Sequence, residues 1–153
     1  MTQARVRSIV VCASLALAVA SPRAECISLG LKSDRKYADL VFRGVITDLQ
    51  HPDKRRSIVT FEVSRVWKGP VRKRMVLYQP EEDYLERYSW QTSTVGTEYL
   101  VFARRLDDSQ RNAFDLKTRD AFAVPTCKGG TDEIVHPYAR DYLRQLGRGR
   151  APR

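Results

Sequence analysis

The feature that most constrains the fold is a regular alternation of apolar and polar residues across residues 57–67. Apolar and polar side chains take turns through the middle of this run: Val59, Phe61 and Val63 against Thr60, Glu62 and Ser64. A period of two places the two sets on opposite faces of a β-strand. The segment is therefore predicted to be a strand with one buried face, and a chain built from such runs must form a sheet.

Four further segments are predicted to be strands. They are residues 39–48, 71–78, 97–104 and 114–124. Gly44 interrupts the first of them and predicts a bulge or a tight bend. Residues 97–104 are apolar on both faces, which is typical of a strand covered on both sides. The short link before residues 71–78 predicts an antiparallel hairpin with the preceding strand.

Two helices are expected at the ends of this strand array. Ser33 and Asp34 can cap a single helical turn. Apolar residues at helical spacing predict a C-terminal helix, namely Ile134, Tyr138, Tyr142, Leu143 and Leu146. Because Pro137 fits only the first turn, this helix should begin near His136. With residues 106–112 as a polar turn, the pattern predicts a mainly β fold: a five-stranded Greek-key OB-fold barrel with a short N-terminal helical turn and a packed C-terminal helix.

Residues 1–24 have the features of a cleavable signal peptide. Arg5 and Arg7 precede an apolar run over residues 9–20. The run is shorter than the roughly 20 residues of a membrane span, and small residues follow it, so cleavage after Ala20 or Ala24 is expected. An uncleaved N-terminal anchor is the alternative. The sequence thus predicts a secreted or periplasmic protein whose folded domain covers residues 25–146.

Basic residues outnumber acidic ones, with 27 Lys and Arg against 18 Asp and Glu and a net charge of +9. Loss of residues 1–24 removes three arginines and leaves +6. Part of the excess lies in residues 147–153, which are predicted to be a basic disordered tail. Weak contact of this tail with anionic surfaces is the functional alternative to a merely solvated segment.

Export leaves two cysteines, Cys26 and Cys127. In an oxidising compartment an even pair predicts one disulfide. The bond would close a loop of about 100 residues and stabilise the fold by ~4–5 kcal/mol in the chain-entropy model. Two cysteines without a nearby histidine do not form a zinc site, and neither has a sequence neighbour that would activate it as a nucleophile. No metal or cofactor is expected.

Four sequence motifs occur in a recognisable order. They are Ala38-Asp-Leu-Val-Phe-Arg-Gly44, Thr60-Phe-Glu-Val-Ser-Arg-Val-Trp-Lys-Gly69, Val95-Gly-Thr-Glu-Tyr-Leu-Val-Phe-Ala103 and a late Cys127. Together they resemble the netrin-type module, and within it the bacterial proteins similar to tissue inhibitors of metalloproteinases (TIMP-like). The resemblance covers Cys26 to about Leu146. It implies an OB-fold without catalysis and marks these motif positions: Asp39, Phe42, Gly44, Trp67, Gly69, Gly96 and Tyr99. Trp67 is expected to cover a barrel opening.

The chain departs from the inhibitors of this family at its mature N-terminus. Those proteins begin with Cys-x-Cys, and the first cysteine's amine and carbonyl chelate the zinc of a target protease. Here the sequence reads Ala24-Glu25-Cys26. Cys26 resembles the second cysteine, whose usual partner is the late one, while the first cysteine and its partner in residues 90–96 are absent. The chelating wedge is therefore not carried over.

An exported, non-catalytic binding module is the function that these features favour. Its partner would be an unidentified protein, and three loop aromatics are candidate anchors: Tyr84, Tyr88 and Trp90. The alternative for these rings is that they pack down over the barrel mouth. Inhibition of a secreted or envelope metalloprotease through other contacts is the second hypothesis.

Two further functions receive less support. A single-stranded nucleic-acid binder would suit an OB-fold and a basic chain, but export and the scattered basic residues argue against a nucleic-acid partner. An enzyme would need its acid–base groups from Glu81, Glu82, Asp83 and His136, and no spacing links these residues. No catalytic residue is therefore predicted.

Overall fold

The computed structural model describes residues 30–80, 90–125 and 131–153. Its elements in chain order are α1 (Leu31–Tyr37), β1 (Leu40–Asp53), β2 (Arg56–Lys68), β3 (Arg74–Pro80), a 3₁₀ turn (Trp90–Thr92), β4 (Glu98–Arg105), α2 (Asp108–Ala113), β5 (Phe122–Ala123), β6 (Asp132–Glu133) and α3 (Pro137–Leu146). No helix within these three ranges is long and apolar enough to cross a membrane.

Five of the strands close into a barrel. β1 and β2 form a long antiparallel hairpin, β3 continues it, and β1 also pairs with β4 on its other edge. β5 pairs with β4 and, in parallel, with β3 through Leu77 and Phe122, which completes the ring. β6 lies further along the same edge of β4 as β5. The prediction of a mainly β, five-stranded barrel of the OB type is confirmed.

The interior of the barrel is filled by apolar side chains from all five strands. Four aromatic rings occupy its centre in edge-to-face contacts. Phe61 lies 5.2 Å from Phe42 and 5.7 Å from Trp90, and Trp90 lies 5.1 Å from Tyr99 between ring centroids. Such contacts add to the free energy gained by burying the rings.

A second apolar cluster lies on the outside of the barrel, beneath the helices. Val41, Leu100 and Phe102 point outwards from β1 and β4 and meet α3 at residues such as Tyr142. The Tyr142 hydroxyl donates to Asp34 Oδ2 at 2.9 Å, which ties α3 to α1. β4 is thus covered on both faces, and the C-terminal helix packs on the barrel, as its sequence predicts. His136 is the residue before α3, which begins at Pro137.

The segment before β5 differs from its prediction. Residues 106–112 were expected to form a turn and residues 114–124 a strand, but α2 occupies Asp108–Ala113 and β5 is only two residues long. Asp107 caps α2 by accepting from the Gln110 backbone N–H, while the Gln110 side chain accepts from the Asp107 N–H. This reciprocal cap satisfies two N–H groups at the start of α2 and so stabilises the helix.

Part of the predicted disordered tail is also ordered. Arg150 exchanges two backbone hydrogen bonds with Val66 of β2, at 3.0 and 2.8 Å. β3 pairs with β2 only as far as Glu62, and the next hydrogen bond, from the Val63 N–H to the Lys73 carbonyl, is followed by an edge of β2 that β3 does not cover. Unpaired strand edges favour pairing with any available backbone. The end of the chain therefore adds a bridge to the barrel instead of being wholly solvated.

Candidate binding surface

Four of the predicted site residues lie outside the described residues. They are Cys26, Tyr84, Tyr88 and Cys127. The disulfide and two of the three loop anchors therefore stay predictions.

The third loop aromatic, Trp90, belongs to the barrel interior. Its side chain is 3% exposed and contacts the rings of Phe61 and Tyr99. The prediction that it is an exposed anchor is wrong, and the alternative that it packs down into the barrel describes it. The 3₁₀ turn that begins at Trp90 directs the ring inwards before β4 starts.

Three motif positions hold β1 in place. Asp39 joins β1 to β4, since its Oδ2 accepts from the Arg105 backbone N–H at 2.8 Å. Phe42 is fully buried in the core. Gly44 lies at a register shift between β1 and β2, and a Cβ there would stand 2.7 Å from the Glu62 carbonyl oxygen. The predicted bulge at Gly44 is confirmed.

Two further glycines allow turns. Gly69 has a φ of 89° and ends β2 against the backbone of Asp39, while Gly96 has a φ of 93° and donates its N–H to Ile46. A positive φ is unfavourable for residues that carry a Cβ.

Trp67 differs from its prediction. It does not cover an opening of the barrel but packs in the outer cluster beneath α3. Its Nε1–H donates to the Gly147 carbonyl at 3.1 Å. A Cβ on Gly149 would stand 2.9 Å from its ring. Side chains in a strand alternate between its two faces, and that of Trp67 points away from the barrel interior. Its contacts therefore hold the residues that follow α3 against the outside of the barrel.

Tyr99 is the most perturbed titratable group in the described residues. Its hydroxyl donates to Glu133 Oε1 at 3.0 Å and shares a hydrogen bond with Ser93 at 3.0 Å. Burial raises the pKa of Tyr99 to about 12, and the Glu133 carboxylate acts in the same direction. The phenol stays protonated at neutral pH. It therefore links the loop before β4 to β6 and does not supply a base.

The outer wall of the barrel carries a matched ion pair. Arg43 on β1 donates from Nε and Nη2 to the two oxygens of Glu98 on β4, both at 2.8 Å. This bidentate hydrogen bond raises the pKa of Arg43 above its ordinary value. The pair joins neighbouring strands and leaves no free charge for a ligand.

A different arrangement exists where β2 ends. We call the surface formed by residues 65–74 and 148–153 the basic pole. These two segments contain no acidic residue and eight basic ones: Arg65, Lys68, Arg72, Lys73, Arg74, Arg148, Arg150 and Arg153. The Val66–Arg150 bridge and the Trp67–Gly147 hydrogen bond bring them together. Arg150 Nη2 also donates to the Gly69 carbonyl at 3.1 Å.

The C-terminal end of α1 adjoins the same surface. Lys68 Nζ donates to the backbone carbonyls of Arg35 and Lys36, at 3.0 and 3.3 Å. Tyr37 follows these residues and is 55% exposed. The Lys36 ammonium lies 5.4 Å from the centroid of the Tyr37 ring, which is within range of a cation–π contact. The pole therefore combines cations with an exposed aromatic ring.

Most cations of the pole have no carboxylate partner. Among the described residues, Arg72 alone of the eight makes an ion pair, with Asp120 at 3.4 Å. Arginines elsewhere on the barrel are matched more closely, such as Arg43 with Glu98 and Arg105 with Asp120 at 2.6 Å. The positive charge of the pole is thus available to a partner.

A groove of about 700 Å³ lies within the pole. Val71, Ala151 and Pro152 supply apolar lining, and Arg150 and Arg153 supply the charge. Another recess, of about 430 Å³, lies where β3 and β4 end. Polar groups there serve the fold, since Gln79 Oε1 accepts from the Val124 N–H and Asp107 caps α2.

The sequence prediction missed the pole. It assigned the charges of residues 71–74 to the polar face of a strand, and those of residues 148–153 to a tail that is either solvated or in weak contact with anionic surfaces. The run Arg72-Lys73-Arg74 was the available signal. Without the bridge to Arg150, nothing in the sequence brings the two segments together.

The fold and this surface define a class: a small OB-type β-barrel with a filled interior and a basic external surface. Comparison with known proteins does not refine it. No family model matches the sequence, and no curated protein sequence matches it significantly.

Proposed function

We propose that the chain is an exported, non-catalytic binding module of the netrin/TIMP-like type, and that its partner binds on the outside of the barrel at the basic pole. The observation that carries this proposal is a concentration of cations, most of them without an ion pair to any described residue, where two distant segments are fastened together. Like charges held side by side cost free energy, so an anionic partner would relieve a cost that the fold sustains.

The filled barrel supports an external site. Small-molecule pockets are cavities lined by apolar groups with a few convergent polar groups. Here the space between the strands is occupied by the rings of Phe42, Phe61, Trp90 and Tyr99. A partner is therefore expected to contact the wall or the ends of the barrel.

The netrin/TIMP-like assignment rests on the ordered motifs of the sequence. Several motif residues have structural roles in the barrel that account for their residue type. Gly44 allows a close approach to β2, and Asp39 links β1 to β4. Any OB-type barrel could use these roles, so they support the assignment without being unique to it.

Export and the disulfide are tested together by mass spectrometry of the chain expressed in a bacterial host. We expect a mature N-terminus after Ala20 or Ala24 in the fraction outside the cytoplasm. Reduction should add the mass of two hydrogens, and a Cys127→Ser variant should lose that difference. An unprocessed chain in the cytoplasm, or two free thiols in the exported chain, would contradict the proposal.

Inhibition of a metalloprotease is tested with the same exported protein. Because the chelating cysteine is absent from Ala24-Glu25-Cys26, we expect no inhibition of a panel of zinc endopeptidases at micromolar concentration. Dose-dependent inhibition of any member would replace the binding-module proposal by the inhibitor hypothesis.

A further inference from the structure

Resting on the proposed function, we propose that the basic pole docks the exported protein on a membrane surface that carries anionic phospholipids. The basic pole, the groove within it and the exposed ring of Tyr37 would face the lipid headgroups.

The charge of the pole is of the right kind and number. Clusters of four to eight Lys and Arg on one surface are typical of binding to anionic lipids. The pole has eight basic residues in two segments, and α1 adds Arg35 and Lys36 beside Lys68. Seven of the eight are without an ion pair among the described residues. Phosphate oxygens of the headgroups can therefore accept their hydrogen bonds without first displacing a carboxylate.

The apolar groups of the pole favour a lipid surface over a soluble polyanion. Tyrosine is enriched at the membrane–water interface, where its ring lies among the headgroups and its hydroxyl stays hydrated. Tyr37 is exposed next to Lys36. In the groove, Val71 and Pro152 adjoin Arg150 and Arg153. An arginine-rimmed groove with an apolar lining fits a phosphate and the glycerol and acyl carbons below it, whereas a hydrophilic polymer would leave the lining unused.

The first experiment measures co-sedimentation of the exported, processed protein with phospholipid vesicles. The processed protein is used because residues 9–20 would bind membranes by themselves. We expect binding to equimolar phosphatidylcholine and phosphatidylglycerol, and none to phosphatidylcholine alone. Binding should weaken steeply as NaCl rises above about 0.15 M, where the screening length is about 8 Å. Equal binding to both vesicle types would overturn the proposal.

A pair of variants locates the site. Lys73→Gln and Arg153→Gln change side chains that make no hydrogen bond or ion pair with the described residues, so the fold should persist. The two substitutions are combined in one double variant, and each is expected to weaken binding to the anionic vesicles about five-fold. The matched control, Lys54→Gln with Arg55→Gln, removes the same charge at the β1–β2 turn, about 40 Å along β2 from Lys68. Equal losses of vesicle binding in the test and control variants would show that binding depends only on net charge, and would overturn the proposal.

Should the first pair unfold, Arg65→Gln with Arg148→Gln provides a second pair on the same surface. Their side chains are also without partners among the described residues. The expected loss is the same, and the same control applies.

Tyr37→Ser separates a membrane from a soluble polyanion. We expect this variant to bind the anionic vesicles more weakly than the wild-type protein, while its binding to soluble polyaspartate stays unchanged. An equal effect on both ligands, or none on vesicles, would assign the pole to soluble polyanions and overturn the membrane proposal.

Failure of the membrane proposal and failure of the proposed function are distinguishable. A processed, disulfide-bonded protein that ignores vesicles would leave the binding module standing with another partner. A chain that is never exported would remove the proposed function itself.

Discussion

The barrel and the basic pole differ in what surrounds their chemistry-bearing side chains. In the barrel, Tyr99 has two hydrogen-bond partners and Arg43 has both oxygens of Glu98. At the pole, Lys73 and Arg153 have no ion pair within the described part of the chain. Satisfied groups contribute to folding, whereas unmatched like charges oppose it. We therefore expect barrel residues to control stability and pole residues to control binding.

The largest effect is expected in the interior. Trp90→Ala should lower the free energy of unfolding by about 3–5 kcal/mol, because it leaves a cavity beside Phe61 and Tyr99. The measurement is urea unfolding followed by circular dichroism. Tyr138→Ala removes an aromatic ring that is 73% exposed and serves as the control, with a change within about 0.5 kcal/mol. Equal costs for the two variants would show that Trp90 does not fill the barrel.

A methyl group at the bulge should have the next largest effect. Gly44→Ala is expected to cost about 2–3 kcal/mol, because its Cβ would meet the Glu62 carbonyl in the middle of a paired sheet. Gly149→Ala places a Cβ 2.9 Å from the Trp67 ring, which would have to shift together with its hydrogen bond to Gly147. Because this contact lies outside the barrel, the substitution, at a position with a positive φ, should cost about 1–2 kcal/mol. A reversed order of the two unfolding midpoints would contradict the distinction between barrel and pole.

Removing the buried hydroxyl should have a smaller, pH-dependent effect. Tyr99→Phe is expected to cost about 1–2 kcal/mol near neutral pH, because Glu133 and Ser93 lose a partner. The pKa of Tyr99 is raised from 10.0 to about 12 by folding. Below pH 10 both states keep the phenolic proton, so its contribution is complete. As pH rises from 10 to 12 the unfolded chain loses the proton first, and stability falls.

Unfolding curves of wild type and Tyr99→Phe at increasing pH test this prediction. The stability difference between them should be constant up to pH 10 and then shrink, since the variant has no phenol to titrate at this position. A difference that stays constant through pH 12 would show that the hydroxyl is not held in its protonated form.

The Arg43–Glu98 ion pair on the outer wall of the barrel should contribute less to the free energy of unfolding. Glu98→Gln is expected to lower stability by at most about 1 kcal/mol, because the pair is partly exposed to water. The cost should decrease in high salt. A cost as large as that of Trp90→Ala would mean that the wall, and not the interior, dominates folding.

The smallest change in stability is expected at the pole. The double variant Lys73→Gln, Arg153→Gln should stay within about 0.5 kcal/mol of the wild-type protein, with any change towards greater stability. Relief of like-charge repulsion is the reason. Thermal unfolding at low salt is the most sensitive measurement, and a clear loss of stability would show that these cations have structural partners.

The sequence predicted the barrel well because its strands carry their pattern locally. Residues 97–104 are apolar on both faces, and β4 is indeed covered by the interior on one side and α3 on the other. The interruption of the strand pattern at Gly44 likewise predicted the bulge that the structure has there. The region before β5 was mispredicted although the Asp107–Gln110 spacing of a helix cap was present in the sequence. The polar composition of residues 106–112 predicts a turn, but composition alone does not distinguish a turn from a short capped helix.

The surface could not be predicted in the same way. Whether Trp90 points inwards depends on the turn before β4, and alternation says nothing about a ring in a loop. The pole depends on a backbone bridge between Val66 and Arg150, which are 84 positions apart. Backbone pairing of this kind uses groups that every residue carries, so it leaves no trace in residue types.

The bridge at Arg150 gives the order of synthesis a consequence. Ribosomes add residues from the N-terminus, so every strand of the barrel is complete before Gly147 to Arg153 exist. A message cut short after Leu146 would still encode the whole barrel and α3, yet its product would lack three arginines and the strand-edge cover at Val66. Such a product would expose the edge of β2 at Val66 and the face of the Trp67 ring that Gly147 and Gly149 contact.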